Sequence, residues 1–187
     1  MRKDGGGLIF LMTSSKIGEK LQLPFLADMY ENVKNKYPVL KEIVPNDIPY
    51  DTKSSFSLYI NHRETFTGIT DNDRSLTIRK FAELLKKVKN YDSNSAIVEF
   101  GREFRSPGHV PICLASKGLL NSRKGHTELV VAMLKMAKLI PAGSGCEIMG
   151  DNGKALSKKD AKDYAVDNNL VFVEGKHIIK AWKQWSK

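Results

Sequence analysis

The sequence predicts a mixed α/β or α+β fold, and three observations carry that prediction. Short apolar segments of strand character are interspersed with segments whose apolar residues recur at helix spacing. The length of 187 residues suits one domain with a full core and is too short for two ordinary ones. No internal repeat, low-complexity stretch or linker divides the chain.

Gly5-Gly6-Gly7 leads into Leu8–Met12, an apolar strand that opens almost at the first residue. A buried strand needs neighbours on both edges. Nothing before this one supplies any, so its partner comes later in the chain or is missing. Ser14 or Ser15 caps a short helix to Leu21, Pro24 interrupts, and a second helical stretch runs through Val33. Pro38, Pro45 and Pro49 mark irregular chain. Phe56, Leu58 and Ile60 alternate with polar neighbours, the period of a half-buried strand. From Ser75 to Val88 the apolar residues have helix spacing, and Tyr91 to Ser95 reads as a polar loop. Val110–Ala115 is a second buried strand and Gly145–Met149 a third, closed by the turn Asp151-Asn152-Gly153. Ser157 with Asp160 opens a capped helix, Leu170–Val173 is another strand, and His177–Trp185 a terminal helix.

A hydrophobic fraction of 41% and a charged fraction of 27% are those of a soluble globular protein. No apolar run reaches the roughly 20 residues of a membrane span, and no signal peptide is recognisable, so a cytoplasmic protein without a membrane partner is expected. Cys113 and Cys146 stand in apolar segments and read as buried free thiols. The net charge of +9 can steer a phosphorylated metabolite, a nucleic acid or an acidic partner. Its lysines are dispersed over helix faces without interleaved aromatics, which argues against nucleic acid.

The most informative run is Arg123-Lys124-Gly125-His126-Thr127-Glu128, which opens a largely buried helix over Leu129–Lys138. Unpaired N–H groups and the positive end of the helix dipole favour an anion there, and Arg123, Lys124 and the Thr127 hydroxyl strengthen the site. Phosphate is the natural guest. A helix N-terminus also holds His126 neutral, the form that binds a metal or exchanges protons. The plainer alternative has Thr127 capping the helix, the basic residues solvated and His126 packed against a neighbour. Glu147 interrupts an apolar strand, so it either faces solvent at the strand's end or is partly buried and held for acid–base work. Arg105 and His109 flank a Ser-Pro-Gly turn before the strand at Val110, and both face the same cleft if the Arg123–Thr127 site is real. Around Gly68, threonines including Thr67 and the backbone amides can hold phosphate oxygens, the alternative being an Asx-turn. His62 and His177 read as surface or packing residues. Walker A, G-x-G-x-x-G and G-x-S-x-G patterns do not occur, which leaves nucleotide hydrolysis, dinucleotide redox chemistry and serine or cysteine hydrolysis unsupported.

Four segments in register resemble the 3,4-dihydroxy-2-butanone 4-phosphate synthase family of riboflavin biosynthesis: Thr65–Arg74, Phe104–Val110, Arg123–Glu128 and Cys146–Gly153. The opening residues to Ile9 and Asn46–Asp51 resemble its archaeal form. The resemblance implies a single domain with a mixed sheet flanked by helices. It also implies a magnesium-dependent lyase, with manganese as a substitute ion, that converts ribulose 5-phosphate into formate and 3,4-dihydroxy-2-butanone 4-phosphate. A homodimer with active sites near the subunit interface is implied too. By position, Arg123 and Thr127, with Lys124 and Gly125 beside them, hold the substrate, and Thr67 contacts it. His126 binds the metal, Glu147 moves protons and His109 assists. Magnesium prefers oxygen, so one histidine does not hold it alone.

Family members carry an acidic loop of the type Asp-x-x-x-Arg-Glu-x-Glu-x-x-Asp near their start, and no such run stands in these 187 residues. The expectation is therefore an N-terminally shortened domain spanning 1–187, impaired in activity, whose lost segment includes the edge partner of Leu8–Met12. The competing reading is a non-catalytic phosphate-binding or interaction module that kept the anion pocket and lost the metal loop.

Overall fold

The computed structural model describes residues 5–43 and 53–186. Their order is β1 (Phe10–Thr13), α1 (Ser15–Leu21), α2 (Leu26–Val33), α3 (Val39–Glu42), β2 (Phe56–His62), α4 (Asp71–Lys87), α5 (Ser93–Glu103), β3 (Phe104–Leu114), α6 (His126–Met136), β4 (Ala142–Gly145), α7 (Lys158–Asp167) and α8 (Gly175–Trp185). The expected mixed fold is present as a four-stranded sheet of order β2-β3-β1-β4. β1 runs parallel to β3, pairing Leu11 with Ile112, and antiparallel to β4, pairing Leu11 with Ser144. β2 is antiparallel to β3, with irregularities after Phe56 and after Ile60.

This topology corrects the expectation about β1. The strand has a neighbour on each edge, both supplied by later segments, so it lacks no edge partner. Its 0% exposed Leu11 belongs to a core formed by Ile60, Val110, Ile112 and Leu114 of the sheet with Phe81, Leu84 and Leu85 of α4 and Ala96 of α5. Full burial of a side chain such as Phe81 is worth about 2–3 kcal/mol. α6 lies on the opposite face, where Val130 and Leu134 meet the position of Gly143 in β4. Beyond it, Val131 and Ala132 pack with Ile178 and Trp182 of α8.

Local signals placed several elements well. Ser14 caps α1 by accepting from the Ile17 N–H, and Ser157 caps α7 by accepting from the Asp160 N–H. Others need correction. The expected polar loop at 91–95 contains the start of α5, because Asp92 accepts from the Ser95 N–H and hydroxyl and so caps a helix. Leu170–Val173 is not a strand; Leu170, Val171 and Val173 are exposed, and the segment pairs with no strand among the described residues. The third strand lies at Ala142–Gly145, where β1 offers pairing. Beyond it only Ile148 and Met149 form isolated bridges, and Cys146 is half-buried outside any strand. Arg105–His109 is the first half of β3. His62 is a packing residue, buried with its ring edge-on to Phe104, and His177 is exposed. Pro45, Pro49 and Asn46–Asp51 lie outside the described residues. Among the described residues no helix is long and apolar enough to cross a membrane.

Candidate functional site

Thr70 opens α4 by accepting from the Asp73 N–H, so Asp73 stands in the first turn, where a carboxylate suits the helix dipole. From there its Oδ2 accepts the Gly68 N–H at 2.8 Å, with the Thr67 hydroxyl at 3.4 Å. These donors, the Gly68 amide first, hold the Asp73 carboxyl below the usual carboxylate range. Gly68 has φ +91°, and a Cβ there would fall 2.1 Å from Asn61 Nδ2, so no other residue fits. The loop is also held from β3: Arg105 Nη2 donates to the Thr65 carbonyl at 3.0 Å and to its hydroxyl at 3.2 Å. Phe66 and Thr67 remain exposed.

His109 is exposed on β3 but anchored beneath by Asn61, which is only 4% exposed. The His109 N–H donates to Asn61 Oδ1 at 2.8 Å, and Asn61 Nδ2 lies 3.1 Å from His109 Nδ1. Thus Thr67, Arg105 and His109 are tied to one loop and strand pair through Thr65 and Asn61. Glu147 takes the solvent-facing alternative, with an exposed side chain, while its carbonyl accepts the Gly6 N–H at 2.8 Å. Arg74 of α4 donates to the Gly7 carbonyl at 2.8 Å and to Asp71 at 3.2 Å. Residues 6 and 7 therefore stitch the Glu147 segment to the start of α4.

At α6 the N-cap is Gly125, with φ −81° and no side-chain cap. Thr127 therefore does not cap the helix; it is buried in the first turn, while Lys124 and His126 are exposed. With no side-chain cap, the first-turn amides remain open, as they are at helix N-termini that take an anion. The holder of this turn is Glu128, which is 0% exposed. Its Oε1 accepts the Ser116 N–H at 2.8 Å and its Oε2 binds Arg123 Nη1. The guanidinium lies so close over Gly125 that a Cβ there would fall 2.1 Å from Nη1. Beside the pair, burial pushes the Cys113 thiol up to about 12, against the pull of Arg123, so it is no nucleophile near neutrality. Sequence reasoning missed Asn61 and Glu128 as holders. The only signal was a polar residue inside an apolar strand in one case, and a carboxylate in the first turn of a buried helix in the other.

Along β3 the two regions stand apart. Cys113, next to the Arg123–Glu128 pair, stands four residues of extended strand from His109, about 13 Å. The described residues do not complete a magnesium site either. Among the described residues no three of His, Cys, Asp and Glu cluster as ligands, and His126 offers a single imidazole to an ion that prefers oxygen.

The family model for 3,4-dihydroxy-2-butanone 4-phosphate synthase matches residues 1–181. The chain belongs to that family. Its relatives include the 3,4-dihydroxy-2-butanone 4-phosphate synthase of Methanosarcina acetivorans, 45% identical over 189 residues, covering 100% of this chain and 75% of the relative. Among solved structures, a cation-free 3,4-dihydroxy-2-butanone 4-phosphate synthase superposes with a TM-score of 0.73 at 20% identity, covering 100% of this chain and 78% of that one. Another, in complex with two magnesium ions, gives 0.69 at 21% identity, covering 98% and 77%. At those identities the structures show a shared fold. The family is one of riboflavin biosynthesis whose enzymes act on a sugar phosphate, and relatives that carry the enzyme name do not favour the non-catalytic module.

Proposed function

We propose that the chain is a lyase that converts ribulose 5-phosphate into formate and 3,4-dihydroxy-2-butanone 4-phosphate. The observation that carries this reading is the start of α6: an uncapped first turn beneath an arginine fixed by a fully buried carboxylate. In this reading Arg123, Lys124 and the amides from Gly125 to Thr127 hold the phosphate. The atoms of the sugar phosphate divide between the two products without an oxidant or reductant, so the protein's task is to move protons and hold charge. Exposed Glu147 carries protons at the substrate carbons, His109 assists at an oxygen, and Thr67 borders the substrate.

His126 is assigned to a divalent cation, magnesium or manganese. The described residues do not complete such a site, and no step is derived through the ion. The separation of His109 from α6 supports a homodimer in which one protomer's α6 approaches the loop of its partner. An exposed apolar face could serve it: α2 buries none of its residues, and Met29, Tyr30, Val33, Tyr37, Val39 and Ile43 are exposed. A cytoplasmic location fits this role.

The test is formate release from ribulose 5-phosphate in the presence of Mg2+. The protein should release formate, and His126→Ala should abolish the metal-dependent part. Formate release by the protein with no response to Mg2+, or a fully active His126→Ala, would remove the metal assignment. No release at all would sink the lyase reading.

A further inference from the structure

We propose that Asn61 is a positioning residue that fixes the tautomer of His109, with the ring proton on Nε2, so that the imidazole presents a donor to the substrate. The inference rests on the reading of His109 as a substrate-facing group and deepens it.

The argument starts from the orientation of the amide. Asn61 is buried on β2, and one of its polar atoms receives the His109 backbone N–H at 2.8 Å. A backbone N–H only donates, so that atom must be the carbonyl oxygen, and the amide cannot be turned over. The other end is then Nδ2, which carries two hydrogens. It has two neighbours: the Thr67 carbonyl at 3.4 Å and His109 Nδ1 at 3.1 Å. A carbonyl accepts the first hydrogen. Amide nitrogen has no lone pair to offer, so His109 Nδ1 must accept the second, and the proton of the neutral ring is left on Nε2.

Every hydrogen-bonding capacity of this buried amide nitrogen and its N–H partner is thereby used, as buried polar groups require. The loop is built around it: a Cβ at Gly68 would fall 2.1 Å from Nδ2, and Arg105 ties down Thr65. Asn61 thus joins β2, β3 and the loop before α4 at one amide. The outcome for chemistry is directional. His109 offers an N–H to a substrate oxygen, suited to polarising a carbonyl or hydroxyl, while its lone pair points into the protein.

Nitrogen-15 spectra of histidine-labelled protein read the tautomer directly, with the His109 signals assigned by their loss in His109→Gln. At mildly alkaline pH the unaltered protein should show a protonated Nε2 and a bare Nδ1. Asn61→Asp keeps the shape but replaces the donor by an acceptor, and should move the proton to Nδ1. A proton on Nδ1 in the unaltered protein, or unchanged ring nitrogens in a folded Asn61→Asp, would overturn the proposal. Should that variant fail to fold, the spectrum of the unaltered protein alone decides. Turnover separates this inference from the one beneath it. Asn61→Asp should lower kcat by about 100-fold, with the KM for ribulose 5-phosphate little changed because the phosphate is held at α6. A shifted tautomer with full kcat would overturn the role of His109 and the directional consequence, while leaving the tautomer assignment standing.

Discussion

At the start of α6 an arginine is held by a charge, whereas on β3 a histidine is held by a neutral amide, and the two devices fail differently. Glu128 is fully buried and fixes both Arg123 and the Ser116 amide. Removing it takes the acceptor from the Ser116 N–H, takes one anchor from Arg123 and empties a fully buried place, a substantial cost. Asn61 exchanges neutral hydrogen bonds, which contribute about 1 kcal/mol each. Its value lies in direction. The comparison teaches that a guanidinium is fixed here by charge, while an imidazole is fixed by orientation alone.

Glu128→Ala should break that comparison most visibly, lowering the free energy of unfolding by about 2 kcal/mol or more in urea titrations, because the Ser116 N–H loses its acceptor and a buried place is emptied. A loss under about 1 kcal/mol would place the two holders on the same footing. Gly125→Ala comes next. The added methyl displaces the Arg123 guanidinium, so the KM for the sugar phosphate should rise by about 10- to 100-fold, with far less loss of stability than in Glu128→Ala. An unchanged KM would mean that Arg123 does not hold the phosphate. The smallest effect belongs to Asp73, whose carboxyl is held low mainly by the Gly68 amide. A depressed carboxylate contributes stability that is present above its unfolded value, near pH 4, and is lost as pH falls through the lower folded value. Asp73→Asn should therefore flatten the acid limb of a stability-against-pH curve below about pH 4. An acid limb unchanged in the variant would show that the carboxylate does not brace the loop.

The chemistry-bearing side chains were easier to read than the groups that hold them. Arg123, His126 and Thr127 stand out in the sequence because their types and order suggest the proposed anion site at a helix start. Glu128 reads equally well as one more acidic first-turn residue, and its burial depends on Ser116 and Arg123 meeting it in space. Asn61 looks like any polar residue on the wet side of a strand until β3 pairs beside it. The same division runs through the fold. The capped helices α1 and α7 follow from local chemistry, and so do the apolar faces of α4 and α8. β4, with the sequence Ala-Gly-Ser-Gly, carries no strand signature and exists because β1 offers it partners. Leu170–Val173 has strand composition but no neighbour, so composition alone left it outside the sheet.

The placement of β1 between β3 and β4 has a consequence for how the chain is made. Phe10–Thr13 leaves the ribosome before either of its partners, since one side of it pairs with residues 112–114 and the other with residues 142–145. At typical rates of synthesis that is a wait on the order of ten seconds, during which an apolar strand has neither partner. The sheet cannot close from its N-terminal end, and the first helices assemble around a strand whose place is still empty. A nascent chain stalled before β4 would expose one edge of β1 to any other strand nearby, which makes that stage the natural point for a chaperone to act or for aggregation to begin.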